Sequence, residues 1–301
     1  MANEGQERLL VAAAPSRIGE GWTLRRFRRL PIIPITILIL FIVVGVGATW
    51  IAPLDPTKTS LRDRNLPPAW LEGGDSRYLM GTDHLGRDVY SRVIHGARIS
   101  LVVAAMVILV GNTIGVVIGL ISGWYGGWVD EICMRLVDIK LAIPTILLAL
   151  VLVLALGQTF ILIVGVLAIT IWPRIARNVR GEVLQIKTLD YVALARVAGA
   201  STPRILTVHI FPGVINTLIV LTTLEIGIVI LLESTLSFLG AGVPPPTPAW
   251  GSMVAEGRDR IAVAWWICTI PGLAILIVVM AANLFGDWLR DVLDPKLRQL
   301  A

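Results

Sequence analysis

Few side chains in this 301-residue sequence have a type and spacing that could do chemistry, and most chemistries fall away at once. The histidines, His84, His95 and His209, are too scattered to form the short ligand pairs of a metal site. The lysines are Lys58, Lys140, Lys187 and Lys296. None follows a glycine, so the chain has no G-x-x-x-x-G-K-[ST] phosphate loop. No residue is assigned to catalysis, and no cofactor is implied. What remains is charge in unusual places. Glu225 stands in the apolar stretch TTLEIGIVI, where a bare carboxylate costs at least ~2.5 kcal/mol. It must line a wet path, pair with a cation or bind a proton. On a path it would favour cationic substrates or a peptide amino terminus. In the other case it is a structural partner. Glu233, about two turns on, reads as structural or gating. Asp138 and Lys140 read as a local pair or as snorkelling side chains. Asp83, Arg87, Asp88 and Arg92 alternate in sign, with Gly86 among them. On a helix they would make two i, i+4 ion pairs, Asp83–Arg87 and Asp88–Arg92.

The elements that position these groups are membrane helices. Only 16% of the chain is charged and 55% is hydrophobic, against about 25% charged in an average soluble domain. Uncharged runs over 31–54, 99–129, 141–173 and 261–286 each reach or exceed the roughly 20 residues that cross the hydrocarbon. The reading is an all-α polytopic membrane protein with about six spans, at 31–52, 98–121, 134–156, 159–178, 213–235 and 265–288. Gly157-Gln158 divides the longest run. Six spans put both termini on one side, and that side carries most of the 26 Lys and Arg residues, which makes it cytoplasmic. The same bias explains the net charge of +5 without nucleic acid. Residues 1–30 form a polar, Arg-rich cytoplasmic tail before an uncleaved anchor at 31–52. Residues 53–97 form an external loop, 98–288 the core and 289–301 a second cytoplasmic tail. The proline-rich GVPPPTPAWG, 242–251, reads as an ordered outer or re-entrant loop. Cys133 and Cys268 lie towards opposite faces and read as small packing residues.

One stretch interrupts this pattern. YVALARVAGASTPRILTVHIFP, 191–212, lies between spans four and five on the cytoplasmic side. Thr188 or Asp190 can cap a helix there, and Gly199 can end it with a left-handed turn. Leu189, Val192, Ala193 and Val197 fall on one apolar stripe. Ser201 or Thr202 then caps a second helix with Pro203 at its first position, and Pro212 disturbs it near the next span. A short exposed helix with an apolar stripe suits a partner's groove or the membrane surface.

This stretch resembles the cytoplasmic coupling motif of bacterial ABC-importer permeases, E-A-A, three residues, Gly, nine residues, I-x-L-P. Ala193, Leu194 and Ala195 stand at E-A-A, Gly199 at the glycine, and His209, Phe211 and Pro212 at I, L and P. The acidic residue of the motif is absent. MGTDHLGRDVYSRVIHGARISL (80–101), GWYGGWVDEICMRLVDI (123–139), ESTLSFLGAGVPPPTPAWGSM (233–253) and GDWLRDVLDPKLR (286–298) resemble the C-type permease of oligopeptide and dipeptide importers. The resemblance spans about 80 to 301. It implies the type I importer permease fold, with a coupling loop over 182–212 whose contacts include Asp190, Tyr191, Ala193, Leu194, Ala195, Arg196, Gly199, Ala200, Ser201, Arg204 and Pro212. It implies as partners a homologous B-type permease, two cytoplasmic ABC ATPase subunits or domains, an extracytoplasmic solute-binding protein and a peptide substrate. That binding protein is the rival explanation for Asp83, Arg87 and Asp88. The same branch carries nickel chelates, glutathione and some oligosaccharides, and no motif here separates them. The reading from another class is a stand-alone secondary transporter, which would need coupling-ion sites and usually an inverted repeat; no repeat is visible.

Overall fold

A computed structural model describes residues 30–293. The tail expected at 1–30 lies outside the described residues except for Leu30, as does 294–301 of the tail expected at 289–301. The helical bundle lies within residues 33–293. Among the described residues all regular structure is helical, apart from a single isolated bridge between Thr82 and Asp88.

Helix α1 (Ile32–Val46) is apolar and short, and Gly47 separates it from the single turn α2 (Ala48–Ile51). Helix α3 (Val89–Tyr125) begins where the Asp88 carboxylate accepts a hydrogen bond from the Ser91 amide at 2.8 Å. Its 37 residues reach about 55 Å, well beyond a ~30 Å hydrocarbon layer. The helix therefore starts ahead of the span expected from Arg98, because its cap lies at Asp88. Gly126, at φ +65°, stops it.

The single span expected at 134–156 is two helices, α4 (Gly127–Ala142) and α5 (Thr145–Leu156), bent by 89°. The cause is Pro144, which offers no amide and drives Ile143 out of the helical region to φ −88°, ψ 127°. Helix α6 (Phe160–Ile186) is capped by the Thr159 hydroxyl, runs through Pro173 and continues past the expected limit at 178. Helix α7 (Asp190–Val197) follows, then α8 (Thr202–Arg204), a π-helical turn over Ile205–Ile210 and α9 (Phe211–Phe238). Pro212 lacks an amide and its ring crowds the preceding turn, so the chain widens there without breaking. Helix α10 (Trp250–Arg258), unforeseen in the sequence, closes the proline-rich loop before α11 (Trp266–Leu293).

Four helical runs are long and apolar enough to cross a membrane: α3, α6, Thr202–Phe238 and α11. The bent pair α4–α5 makes up to a fifth, and α1 is a shorter apolar helix. The six expected spans thus resolve into four continuous helices, one broken pair and one short helix.

Helices α3 and α6 run in the same direction in close contact. Gly111, Gly115, Gly119 and Gly123 meet Ile171, Ile175, Val179 and Val183 in step, and a Cβ at any of them would fall within 2.4–2.7 Å of α6 atoms. Backbones approach this closely through small residues one turn apart. Helices α9 and α11 run antiparallel, with Gly227 against Asn283 and Gly286 against Leu224. One buried cluster, including Val107, Leu167, Ile230, Trp250 and Trp266, fills the half nearer α10. A second, of Ile175, Val179, Val183, Ile186, Val192, Ile205, Ile210 and Val214, fills the end at α7.

Candidate functional site

Three places in the bundle carry the residues singled out by sequence. The first is the end at which α6 leaves the bundle. Leu189, in extended conformation, is the N-cap of α7, and no side chain caps it. Thr188 and Asp190 do not take the capping role expected of them. The Thr188 hydroxyl donates to the Gln185 carbonyl at 2.7 Å, and Asp190 sits in the first turn, where the helix dipole favours a carboxylate. The other end of α7 meets expectation. Gly199 adopts φ +78°, its amide donates to the Arg196 carbonyl at 3.1 Å, and the Ala200 amide donates to the Ala195 carbonyl at 3.0 Å. Both bonds define the left-handed turn that glycine permits. Ser201, extended, begins α8, with Pro203 at its second residue rather than its first.

The expected stripe divides. Val192 is fully buried in the cluster under α7, and Ala195 and Ala200 pack beside it. Leu189, Ala193, Leu194 and Val197 face outward, Val197 being 87% exposed. The division follows from the π-helical turn, which packs against one side of α7. Tyr191 donates its hydroxyl to the His209 carbonyl at 3.2 Å, tying α7 to the π-helical turn. The Arg196 guanidinium lies 4.6 Å from the Trp124 ring centre, a cation–π contact with the end of α3. Lys187 donates to the Gly123 carbonyl at 2.7 Å, and Arg180 pairs with Asp130 of α4. Arg204 is exposed. The arrangement is a short helix fastened along one side and apolar along the other.

The opposite end holds the charged knot, in a form the spacing did not foretell. Residues 83–88 form a turn, not a helix. Arg87 Nε donates to Asp83 at 2.7 Å, as expected. Asp88 does not pair with Arg92, because its carboxylate caps α3. Arg92 instead pairs with Asp83 and, at 2.7 Å, with Glu256 of α10. Arg87 reaches Glu256 at 2.7 Å as well. Asp83, Arg87 and Arg92 are all buried. Burial pushes the Asp83 pKa up, but Arg92, Arg87 and the hydrogen bonds from Arg87 outweigh it and hold the carboxyl below its usual value. Burial lowers the pKa of His84. Asp83, His84 and Glu256 lie close enough together for a metal ion. Two arginines already neutralise the two carboxylates, which argues against one. Gly86, at φ +74°, approaches the Ser60 carbonyl where no Cβ fits. Trp250 and Trp266 donate their indole N–H groups to the Val93 and Thr82 carbonyls, at 2.8 and 3.0 Å. A cavity of about 290 Å³ opens between the knot and the proline-rich loop. Glu256 had no pattern in the sequence to mark it, since its partners lie more than 160 residues away.

The third place is the interior. Glu225 is buried, with one oxygen 3.4 Å from Arg174 Nη1 on α6 and the other without a hydrogen-bond partner. Lys140 does not pair with Asp138. It is buried and donates to the Thr170 carbonyl, whereas Asp138 pairs with Arg177. Glu233 is fully buried, accepting from Ser237 at 2.7 Å. Among the described residues it has no cationic partner within salt-bridge distance.

A family model described as "Binding-protein-dependent transport system inner membrane component" matches residues 115–299. The chain belongs to that family. It is a multi-pass inner-membrane permease subunit of an ABC importer. Relatives match along nearly the whole chain. The di/tripeptide transport system permease protein of Pseudomonas aeruginosa is 43% identical over 95% of both chains. The dipeptide transport system permease protein of Escherichia coli is 42% identical over 99% of this chain and all of its own. A protein of Brucella suis described as a putative peptide transport system permease is 44% identical over 92% of each. The family match begins within α3, before its last two zipper glycines, and takes in α6, α7, α9 and α11.

Proposed function

We propose that this permease forms half of the translocation path for di- or oligopeptides and is driven through α7 by a cytoplasmic ATPase. The supporting observation is the two-sided state of α7. It is fixed to the α6–α9 end by Val192, Tyr191 and the Gly199 turn, yet it presents Leu189, Leu194 and Val197 to the outside. A helix so held transmits a push to α6 and α9 as rigid elements. The names of the relatives support a peptide substrate. In this reading α7 and both termini are cytoplasmic and the Asp83–Arg87 knot is external. A homologous permease completes the path, two ATPase subunits hydrolyse ATP, and a solute-binding protein delivers the peptide. This chain contributes no catalytic group. Glu225 and Glu233 are structural or path-associated groups of this half.

The test is affinity purification from the native membrane, identification of what accompanies the chain, and reconstitution of the assembly. Recovery of a second permease and ATPase chains, with peptide uptake that needs ATP and the binding protein, is expected. Solute movement by the chain alone without ATP would overturn the reading and favour a secondary transporter.

A further inference from the structure

The charged groups around Glu225 have a sign and a direction that sequence alone did not assign. Glu225, the residue that would favour cationic substrates, is only 3% exposed at its side chain. Its neighbour Arg174 is 52% exposed and lies near the middle of α6. One turn on, Arg177 and its partner Asp138 are 52% and 57% exposed, and Asn178 is exposed beside them. Arg177 and Asp138 lie near the ends of the expected spans 159–178 and 134–156, where exposed charge is ordinary; Arg174 lies a turn further in, where an exposed charge faces water or a polar cavity rather than lipid. This polar strip contrasts with the apolar exposed surface of α5, where Val151, Leu154 and Leu156 are open.

The charges near Glu225 do not cancel. Lys140 and Arg174 both act electrostatically on one carboxylate, while Arg177 and Asp138 satisfy each other. The surplus is one positive charge, and its exposed end is Arg174. The Arg174–Glu225 approach of 3.4 Å is longer than a good charge-assisted hydrogen bond, and the second Glu225 oxygen is buried without any donor. The pair is loose, so the guanidinium retains donors for a second anion. A guanidinium recognises carboxylates through two parallel N–H groups.

We propose that Arg174 is a contact for an anionic group of the passing substrate, and that for a peptide this group is the C-terminal carboxylate. Glu225 is then the counter-charge of Arg174, and Lys140, bonded to the Thr170 carbonyl nearby, offsets Glu225 when Arg174 turns to the substrate. This inference rests on the permease reading above, and it reverses the charge preference that Glu225 would suggest.

The experiment uses the complete purified transporter in liposomes, with peptide-loaded binding protein and ATP. Uptake of a dipeptide with a free C-terminus is compared with that of its C-terminal amide, each per loaded binding protein. The wild type is expected to move the free acid faster. In the double variant Arg174→Gln/Glu225→Gln, which removes the pair together and leaves Lys140 on the Thr170 carbonyl, uptake of the free acid should fall at least about tenfold, to the rate of the amide. Arg174→Lys should retain part of the preference. Wild-type uptake in the double variant would show that Arg174 only neutralises Glu225 and would overturn the proposal. Aqueous thiol labelling of Arg174→Cys, in a Cys133→Ser/Cys268→Ser background, separates the two levels. Labelling slowed by peptide supports the contact. Labelling that peptide leaves unchanged, with normal double-variant uptake, removes the contact and leaves the path. A thiol that stays unlabelled throughout the transport cycle overturns the wet face itself.

Discussion

At the scale of single residues, the strongest interactions are buried charges with partners far away in sequence. Asp83 serves Arg87 and Arg92 together, so its loss leaves two buried guanidinium groups sharing Glu256. Removing one member of such a set costs about 3–5 kcal/mol. Asp83→Asn should therefore lower the unfolding midpoint of the purified protein steeply, and Asp63→Asn, in a half-buried network with Ser60 and Tyr78, much less. The pH dependence has a definite sign. The folded Asp83 carboxyl lies below its usual value of 3.8. Its contribution is therefore complete above 3.8 and is lost as the pH falls through the lower folded value. Unfolding midpoints measured from neutral pH into acid should show the wild type and Asp83→Asn converging only below that point. Convergence at higher pH would mean that the knot is not what separates them.

At the scale of elements, the glycine rows decide what the helices can do. A Cβ on Gly115 would sit 2.7 Å from both Ile175 and the Trp172 carbonyl, whereas one on Gly165 would meet nothing within 4 Å. Gly115→Ala should cost about 1–3 kcal/mol by overpacking. Gly165→Ala should be neutral or stabilising by up to ~1 kcal/mol through reduced chain freedom. Thermal unfolding of the two variants in one detergent checks the contrast. The turn after α7 is a different case. Gly199 has φ +78° with open space around it, so alanine there is strained by backbone conformation alone, by about 1–2 kcal/mol. Gly199→Ala should lower stability by no more than that strain and should also lower uptake per ATP hydrolysed, because the turn is the junction between α7 and α8. Equal coupling ratios in variant and wild type would remove the turn from the transmission path.

At the scale of the whole molecule, two buried clusters divide the bundle, one beneath α10 and the knot, the other beneath α7. Helices α3, α6 and α9 run between them, which gives a partner at one end mechanical access to the other. On the proposed reading the outward face of α7 is the contact for that partner. Leu194 is 68% and Val197 87% exposed, so substitutions there do not touch the core. Leu194→Asp/Val197→Asp should fold and insert normally, and should lose ATPase subunits during co-purification by more than about tenfold, since charges placed in an apolar groove stay unpaired. Retention of the ATPase at wild-type levels would move the docking surface elsewhere.

What the sequence determined by itself was whatever depends on neighbours along the chain. Apolar runs marked the membrane helices, lysine and glycine spacing excluded a nucleotide loop, and Gly199 announced the left-handed end of α7. Asp83–Arg87 was legible because its spacing was local. The row Gly111, Gly115, Gly119, Gly123 was present as a one-turn repeat of small residues, and reading it would have anticipated the α3–α6 contact. Tertiary structure alone decided the rest. Asp88 went to a helix cap rather than to Arg92, Pro144 broke a run that hydropathy reads as continuous, and Glu256 and Arg174 met partners on other helices. The physical reason is that hydropathy and helical periodicity record the solvent a segment wants. Buried charges are paired by distance in space, and that distance exists only once the helices have packed.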